Sequence, residues 1–540
     1  MSESVLARAR WAHNPADSVS DSVAPAIAEP AHWTPKSNPW AIAASVMTAT
    51  FMVVLDSSVA NVALPHIAGN LSASTDEATW VLTSYLVSNA IMLPATNWIT
   101  RRMGRKRLLM LSILLFTGAS MLCGAAISMP MLILARILQG AGGGGMQPLA
   151  QSILLESFPR DQQAKAMAVY GTGIVVAPVI GPTLGGWITD SYSWRWIFYI
   201  NLPVGILALV LAATFIEDPP YVRAKVRESI DALGFALLAL WLGTLQLVLD
   251  KGQESDWFGA TWICFTAALS VAAFLAFVAR ELHCRQPIVQ LRILLDRNFA
   301  TGTIITGLYG FVFNSTTALL PLFLQTLLGY PALDSGLAVS PRGLGSMLSM
   351  LLAGVLANRI QPRYMLTFGF LVLGVSTFML GHVNLEISML TVALPNFFNG
   401  FAGGFIFVPL TTMAMGRLPK NEIGNAAGIY NLMRNIGGSI GIATATTLLV
   451  RRSQVHQNFL AADFSASDAG RSIVRGLQAS LYTSGASSWD AHQKALGAIY
   501  RLVQQQASLL AYVDNFRILG FLSFVCIPFV FLFRTPKRSH

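Results

Sequence analysis

Apolar stretches long enough to cross a bilayer recur along the chain and constrain its fold more than any other feature. Their approximate limits are 40–64, 79–98, 108–128, 131–155, 164–188, 196–216, 231–250, 259–279, 299–324, 335–358, 364–382, 386–415, 422–450 and 514–534. A membrane-spanning helix needs about 20 mostly apolar residues. Only 11% of the residues are charged, whereas a soluble domain carries roughly a quarter. The sequence therefore predicts an all-α membrane protein with 14 transmembrane helices.

The basic residues of the short loops indicate the orientation. With the N-terminus inside, the short outer loops hold only Arg195 and Lys251, whereas the inner loops and the C-terminus hold 21 Lys and Arg residues. This asymmetry follows the positive-inside rule and predicts that both termini are cytoplasmic. It also accounts for most of the net charge of +10, so the charge does not indicate nucleic-acid binding.

A weak internal repeat suggests two related halves. Residues 158–170 align without gaps to 418–430, with matched Pro, Ala and Tyr positions. Duplicated halves with a substrate site between them are typical of transporters, although a chance alignment is the alternative. The predicted units are an N-terminal six-helix bundle (40–216), an inserted helix pair (231–279) and a C-terminal six-helix bundle (299–534).

Two segments lie outside the predicted spans. Residues 1–39 are rich in Ala, Ser and Pro and lack the apolar core of a signal peptide, which predicts a disordered cytoplasmic tail. Residues 451–512 form a long periplasmic loop in this topology. Apolar residues near helical spacing in 489–512 predict an amphipathic helix lying on the outer membrane surface.

Asp56 is the acidic residue placed deepest in a predicted span. A charged side chain at the membrane centre costs about 2.5–3.5 kcal/mol on insertion scales, so such a residue usually faces a cavity and is functional. Burial favours the protonated form of a carboxyl group, which predicts that Asp56 binds and releases a proton. The alternative is a structural hydrogen bond that caps or kinks span 1, aided by Ser57, Ser58 and Asn61.

Three arginines lie in or near the predicted spans. Arg136 could lower the proton affinity of Asp56 when the two approach, or it could be an anchor that snorkels to the outer surface. Arg434 lies deeper and is predicted to line a cavity in the second half, whereas Arg342 is predicted to be an outer anchor. The remaining polar candidates for a substrate cavity are Asn61, Gln139, Gln147 and Asn314.

Glycine and proline are densest in span 5. Proline removes helix hydrogen bonds and glycine allows close contact, which suits a gate, although static packing is the alternative. The predicted gating residues are Gly173, Pro178, Gly181, Pro182, Gly185 and Gly186.

Four observations argue against an enzyme. A GxGxxG pattern at 140–145 and a GxSxG pattern at 437–441 lie in apolar spans without a preceding strand, and small residues there favour close helix packing. No P-loop occurs anywhere in the chain, and the four cysteines have no metal-binding spacing. No cofactor or metal is expected.

These features together resemble the EmrB/QacA-type fourteen-span drug:proton antiporters of the major facilitator superfamily. Residues 55–65 are similar to that branch's first-span motif, and residues 194–205 are also similar to it. The loop 97–107, with Gly104, Arg105 and Lys106, resembles the superfamily's inner-loop motif. Residues 136–145 resemble the fourth-span motif linked to proton transfer, and 173–186 the antiporter motif of span 5.

The resemblance implies two six-helix bundles around a central cavity that opens alternately to each side. Asp56 would take a proton from outside and release it inside while hydrophobic or cationic drugs leave outward. On the EmrB side of the branch it also implies a periplasmic adaptor and an outer-membrane channel, with this chain as the inner-membrane permease of a tripartite efflux system. The proton gradient is then the energy source.

The inner loop departs from the family pattern at two positions. Asn97 stands where Gly is usual, and Arg101 stands where an acidic residue is usual. A charge relay from that acidic position is therefore excluded, which predicts that the basic cluster is chiefly a topology anchor.

Three other functions stay open from the sequence. The closest is export of an endogenous metabolite, siderophore or lipid, and the next is a membrane-embedded enzyme, for which no His, Asp or Ser cluster is evident. A passive channel is the third.

Overall fold

The regular structure of the described chain is helical throughout. The computed structural model describes residues 35–73, 75–218, 231–284, 287–357, 359–419, 422–485 and 487–533, and these ranges contain no β-strand. Hydrocarbon offers no hydrogen-bond partner, and a helix satisfies its own backbone N–H and C=O groups. Most of the predicted tail, residues 1–34, lies outside the described residues.

The first half of the chain contains eight helical segments. They are α1 (Pro39–Asn70), α2 (Thr75–Met103), α3 (Arg105–Gly124), α4 (Met129–Gly144), α5 (Met146–Ser157), α6 (Gln163–Ser191), α7 (Trp196–Tyr199) and α8 (Asn201–Phe215). Helices α4 and α5 are two parts of one predicted span, interrupted at Gly145. Helix α1 packs on α6 and α8, α2 packs on α4, and α3 packs on α4 and α8.

Two helices follow and pack on each other, namely α9 (Ala232–Lys251) and α10 (Thr261–His283). Asp231 caps α9 by accepting a hydrogen bond from the Gly234 N–H at 2.9 Å. Helix α9 also contacts α2 and the later helix at residues 423–466. The pair therefore touches both halves of the molecule.

The second half contains eight more helices. They are α11 (Arg297–Leu322), α12 (Ala332–Val339), α13 (Pro341–Leu356), α14 (Pro362–Leu380), α15 (Met389–Met415), α16 (Ile423–Ala466), α17 (Asp468–Thr483) and α18 (Ser488–Val530). Helix α11 packs on α16 and α18, and α15 packs on α13 and α14.

The two halves meet where α6 contacts α13 and where α2 and α5 contact α16. Gly354 of α13 lies against Ala168 of α6, and Gly424 of α16 lies against Asn97 of α2. Residues 425–432 of α16 are buried all round, whereas half-buried and exposed residues are frequent in the following part of the same helix. The interface is thus closed on the side that the charge pattern assigns to the cytoplasm.

A helix occupies each of the fourteen predicted apolar stretches, and eleven helices in the described ranges are long and apolar enough to cross a membrane. The stretches without a qualifying helix are 79–98, 131–155 and 422–450. In 131–155 the break leaves two helices of 16 and 12 residues. Helix α16 is less apolar than a typical span because its interior holds polar residues such as Asn431 and Arg434. The count of fourteen transmembrane helices therefore stays a prediction.

The segment predicted as a loop at 451–512 is helical. Helices α16 and α18 have 44 and 43 residues, so each is about 65 Å long, whereas the hydrocarbon core is about 30 Å thick. With α17 they form an extension outside the membrane, which we call the stalk (the helical parts of residues 451–512).

The prediction of an amphipathic helix lying on the membrane surface is wrong. Ser488–Val530 is one continuous helix, so residues 489–512 extend the last span away from the membrane. Ala491, Ala495 and Ile499 are buried, and α18 contacts α16 and α17. The apolar spacing therefore serves packing between helices.

The orientation can be checked by cysteine labelling in a background with Cys264 and Cys284 replaced by Ser. Tyr482 in α17 and Tyr364 at the start of α14 are 61% and 60% exposed. A membrane-impermeant maleimide should label Tyr482→Cys in right-side-out vesicles and Tyr364→Cys only in inverted vesicles, because the positive-inside rule places them on opposite sides. The reverse pattern would contradict the orientation.

Candidate functional site

Asp56 lies in a buried polar cluster within the first half, with only 2% of its surface exposed. Its Oδ2 accepts a hydrogen bond from Arg136 Nη1 at 2.6 Å. Its Oδ1 accepts from Gln139 Nε2 at 2.8 Å and from Asn201 Nδ2 at 2.7 Å. An ionised carboxylate is an acceptor only, so this set of three donors fits the charged form.

Arg136 is wholly buried. Its Nε donates to the Val81 carbonyl at 3.0 Å, and its Nη1 also donates to Gln139 Oε1 at 2.8 Å. The guanidinium carbon lies 4.2 Å from the centre of the Tyr85 ring, a favourable cation–π distance. The alternative that Arg136 snorkels to the surface is therefore wrong, because an ion pair, two carbonyl acceptors and an aromatic face accommodate the charge inside.

Two members of this cluster are not predicted from the sequence. Asn201 of α8 bridges Asp56 and Ser120 Oγ, at 2.9 Å from the latter, and Ser120 donates to the Phe198 carbonyl at 2.8 Å. A signal for Asn201 does exist, because it is an amide within the apolar span Trp196–Phe215. The cluster joins α1, α3, α4 and α8, and Arg136 adds α2 through Val81.

The glycine run of α4 allows this arrangement. A Cβ on Gly140 would meet the Tyr85 backbone of α2, and one on Gly142 would meet the Phe116 backbone of α3. Small residues let helix backbones approach closely in membranes. The run at 140–145 thus brings α2 and α3 against α4, beside Arg136.

The inner-loop motif forms a second ionic cluster. Arg105 is buried and makes two hydrogen bonds to the Glu156 carboxylate, at 2.5 and 2.7 Å. The backbone N–H groups of Arg105 and Lys106 both donate to Asp218 Oδ1 at 2.8 and 2.9 Å, which caps the positive end of α3. Gly104 has φ +86°, and a Cβ there would collide with Asp218. Arg105 therefore forms a structural ion pair with Glu156, in addition to adding to the positive charge of the inner loops.

Glu217 ties the start of the described chain to the same region. It accepts hydrogen bonds from the backbone N–H groups of Lys36 and Ser37, each at 3.2 Å. Burial acts to raise the pKa of Glu217, but these hydrogen bonds outweigh it and hold the pKa below its usual value. The carboxylate therefore stays charged at neutral pH and keeps residues 36–37 in place.

Arg434 and Gln147, both predicted to line a cavity, meet between the two halves. Arg434 Nη2 donates to Gln147 Oε1 at 2.8 Å, and both side chains are partly exposed. One turn further inward, Asn431 Nδ2 donates to Gln151 Oε1 at 2.7 Å, and both of these residues are buried. These bonds join α16 directly to α5.

The other predicted cavity residues have different surroundings. Gln139 is wholly buried and donates to Asp56, so it lines no cavity in this structure. Asn61 is exposed on the outer part of α1. Asn314 is half-buried, and its side chain lies against Gly438 of α16.

Arg342 does not lie at the outer surface, so its prediction as an anchor is wrong. It is 6% exposed, and its Nη2 donates to the Phe313 carbonyl at 2.9 Å and to Thr316 Oγ1 at 3.1 Å. Its guanidinium carbon lies 3.9 Å from the centre of the Phe313 ring. These contacts let the side chain turn inward.

The predicted gating run lies in an unbroken helix, because α6 extends over Gln163–Ser191. Gly173, Gly181 and Gly185 face α1, where an added Cβ would meet side chains of that helix. Pro178 is exposed and Gly186 is half-buried, whereas the Pro182 side chain lies outside the described residues. A gating role for this run stays a prediction.

Comparison with known sequences gives consistent matches. A family model described as the Major Facilitator Superfamily matches residues 46–442. The multidrug export protein EmrB of Haemophilus influenzae is 40% identical over 414 residues, covering 76% of this chain and 81% of that protein. The fatty acid resistance protein FarB of Neisseria gonorrhoeae is 35% identical over 495 residues, covering 92% and 96%.

Comparison with solved structures gives the same fold at low identity. The proton:xylose symporter XylE bound to 6-bromo-6-deoxy-D-glucose superposes with a TM-score of 0.59 at 13% identity, covering 91% of this chain and 95% of that one. The human organic anion transporter MFSD10 superposes with a TM-score of 0.58 at 14% identity, covering 90% and 99%. At such identities the likeness establishes the fold alone.

The buried pair leads to a stability prediction. Asp56→Asn or Arg136→Gln alone should lower the free energy of unfolding by about 3–5 kcal/mol, because each leaves a buried charge without its partner. The double variant should lose less than the sum of the two single losses. Denaturant unfolding of the purified protein in detergent measures these differences.

Arg471→Gln is the control, since its ion pair with Asp468 is exposed on α17 and should contribute at most about 1 kcal/mol. Equal small losses in all variants would show that the pair between Asp56 and Arg136 does not stabilise the fold.

Proposed function

Because the chain belongs to the major facilitator superfamily, as an EmrB-like multidrug transporter, we propose that it exports small hydrophobic molecules in exchange for protons. The proton-binding group is Asp56. The observation that carries the proposal is the ion pair of Asp56 and Arg136 at 2.6 Å, buried among apolar helices. A carboxylate inside a membrane is typical of proton pathways in transporters.

Proton binding would change one contact in this cluster selectively. A proton on Asp56 Oδ2 removes the charge that holds Arg136, while Oδ1 can still accept from Gln139 and Asn201. Arg136 keeps its hydrogen bond to the Val81 carbonyl. The ionic link between α1 and α4 is therefore the part that a proton weakens.

Helix packing connects the ion pair of Asp56 and Arg136 to the interface between the two halves. Helix α1 packs on α6, and α6 packs on α13 of the second half. Gly173, Gly181 and Gly185 bring α6 close to α1, so a displacement of α1 would push on α6. We propose that this contact converts the protonation of Asp56 into a change at the interface.

Outward transport is driven in this proposal by protons that enter from outside. Asp56 lies about 26 Å along α1, near the middle of this 32-residue helix. A proton from outside binds Asp56 and is released inside, and substrate leaves outward while the inner side is closed. One charge that crosses the membrane potential supplies about 2.3 kcal/mol per 100 mV.

We further propose that the stalk docks a periplasmic adaptor of a tripartite efflux system. Phe459 and Trp489 are 72% and 71% exposed on the stalk, beyond the reach of the hydrocarbon. Aromatic side chains are enriched in the cores of protein interfaces relative to the rest of the surface. An adaptor that covers them would remove this apolar surface from the periplasm.

Proton coupling is tested by substrate-induced collapse of a pH gradient in inverted vesicles. Hydrophobic compounds should collapse the gradient with the wild type and not with Asp56→Asn, because the variant binds no proton at this position. Asp56→Glu should retain part of the activity. The double variant Asp56→Asn with Arg136→Gln removes the unpaired charge and separates loss of coupling from loss of folding.

If Asp56→Asn behaves as the wild type, the carboxyl group is structural and coupling lies elsewhere. If no compound acts with the wild type, drug export is contradicted, and endogenous metabolites, siderophores and lipids are the compounds to test next.

Adaptor docking is tested by Phe459→Ser combined with Trp489→Ser. Drug resistance of intact cells should fall several-fold, whereas gradient collapse in inverted vesicles should stay unchanged, because the change affects only assembly. Tyr364→Ser, an exposed aromatic residue on the other side, should leave resistance unchanged. Unaltered resistance in the stalk variant would contradict the docking role.

A further inference from the structure

Two buried carboxylates converge at the end of the inserted helix pair that the charge pattern assigns to the cytoplasm. Asp231, which caps α9, and Glu281, near the end of α10, are 6% and 4% exposed. A Cβ added to Gly234 would lie 2.5 Å from Asp231 Oδ2 and 3.2 Å from Glu281 Oε1, so these two oxygens point into the same small space. Both oxygens are buried and have no hydrogen-bond partner in the part of the chain that the structure describes.

The other oxygen of each carboxylate is engaged. Asp231 Oδ1 accepts from the Gly234 N–H at 2.9 Å and from Arg280 Nη2 at 3.1 Å. Glu281 Oε2 accepts from the Val289 N–H at 3.1 Å. Within the described ranges Arg280 is the cation that pairs with this group, so two carboxylates share one positive charge. When both are ionised, one negative charge is left over in a buried site.

The chemistry of the site favours a proton as its ligand. Burial and a like charge nearby each favour the protonated form of a carboxyl group, and one proton between the two free oxygens would make the site neutral with Arg280. A divalent metal ion would leave a net positive charge, and Mg²⁺ and Ca²⁺ prefer six or more oxygen ligands. The remaining titratable neighbour among the described residues is the Cys284 thiol, which interacts with Asp231.

Glu281 also anchors the connection from α10 to α11. The Val289 N–H that it accepts belongs to a buried segment, since Ile288 and Val289 are 0% and 3% exposed. The next residue, Gln290, donates its N–H to Asn425 Oδ1 of α16 and accepts from Asn425 Nδ2, each at 3.1 Å. The carboxylate therefore holds a segment that is fastened to the second half.

The same segment contacts the first half. Arg101 Nη2 of α2 donates to the Pro287 carbonyl at 3.3 Å. Residues 287–290, which we call the inner strap, therefore bond to α2, α10 and α16. The inner strap lies on the side where the interface of the halves is closed.

We propose that Asp231 and Glu281 form a proton-sensing site that controls the inner strap. A proton shared by the two free oxygens removes the leftover charge, and Glu281 becomes a weaker acceptor for the Val289 N–H. Hydrogen bonds to ionised groups are roughly twice as strong as those between neutral groups. Acidification of the cytoplasm thus loosens the inner strap, and the inner side opens more readily. The site is separate from Asp56 and does not depend on proton-coupled export.

The experiment follows deuterium exchange of the inner strap in the purified full chain in detergent, from mildly alkaline to mildly acidic pH. After correction for the intrinsic effect of pH on amide exchange, the wild-type amides of residues 288–290 should exchange about tenfold faster at acidic pH, because the charge-assisted bond is lost. Glu281→Gln carries no charge at any pH and should show the fast rate throughout. A wild-type rate that does not respond to pH would overturn the inference.

Two neighbouring variants test whether the carboxylates share the proton. Asp231→Asn removes the like charge and should move the midpoint of the pH response to lower pH, whereas Arg280→Gln removes the positive charge and should move it to higher pH. Asn also caps helices, so the start of α9 is retained. A merely structural role would shift neither midpoint, and unchanged midpoints in both variants would contradict the shared site.

Controls establish where the proton acts. Glu386→Gln removes an exposed carboxylate on the outer side and should change nothing. The double variant Asp56→Asn with Arg136→Gln should keep the full response of the inner strap, and its loss would place the effect at Asp56 and overturn the inference. A change in exchange caused by Mg²⁺ at constant alkaline pH would identify a metal site and would equally overturn it.

Discussion

The requirement that a charge inside hydrocarbon be neutralised governs this structure. Asp56 and Arg136 satisfy it for each other, and Gln139 and Asn201 complete the hydrogen bonds of the carboxylate. Because these residues come from different helices, the first half must fold as a unit before either charge is satisfied. The contacts that stabilise the bundle are therefore also those that the proposed protonation of Asp56 would alter.

The two halves satisfy this requirement differently. The first half contains its own carboxylates, whereas the second half places Arg342 and Arg434 next to aromatic rings and neutral acceptors. The buried arginines of the first half are therefore paired with carboxylates, whereas hydrogen bonds and an aromatic contact hold Arg342 among the described residues.

The sequence predicts some features and misses others for physical reasons. Hydropathy locates the helices because the bilayer imposes their length, and Asp56 and Arg136 stand out because charges are rare in spans. The cluster partners Ser120 and Asn201 depend on tertiary contacts between α3 and α8, which periodicity does not reveal. The prediction for Arg342 fails because its position near the outer end of a predicted span does not show that the Phe313 ring lies beside its side chain.

The prediction for the stalk fails because an amphipathic pattern does not say what covers its apolar face. Residues 489–512 have the spacing of a helix that could lie on lipid, yet Ala491, Ala495 and Ile499 are buried beside neighbouring helices. A helix lying on the membrane and a helix of the stalk share this spacing. The structure distinguishes them because α18 continues without a break from Ser488 to Val530, through the predicted start of the last span.

The unbroken course of α16 has a mechanical consequence. Arg434 at the interface and Phe459 on the stalk lie on one helix, about 37 Å apart. A stiff rod that pivots within the membrane moves its far end more than its near end, so a small tilt at Arg434 becomes a larger displacement at Phe459. A change at the interface between the halves would in this way become a larger movement of the stalk, where the proposed adaptor binds.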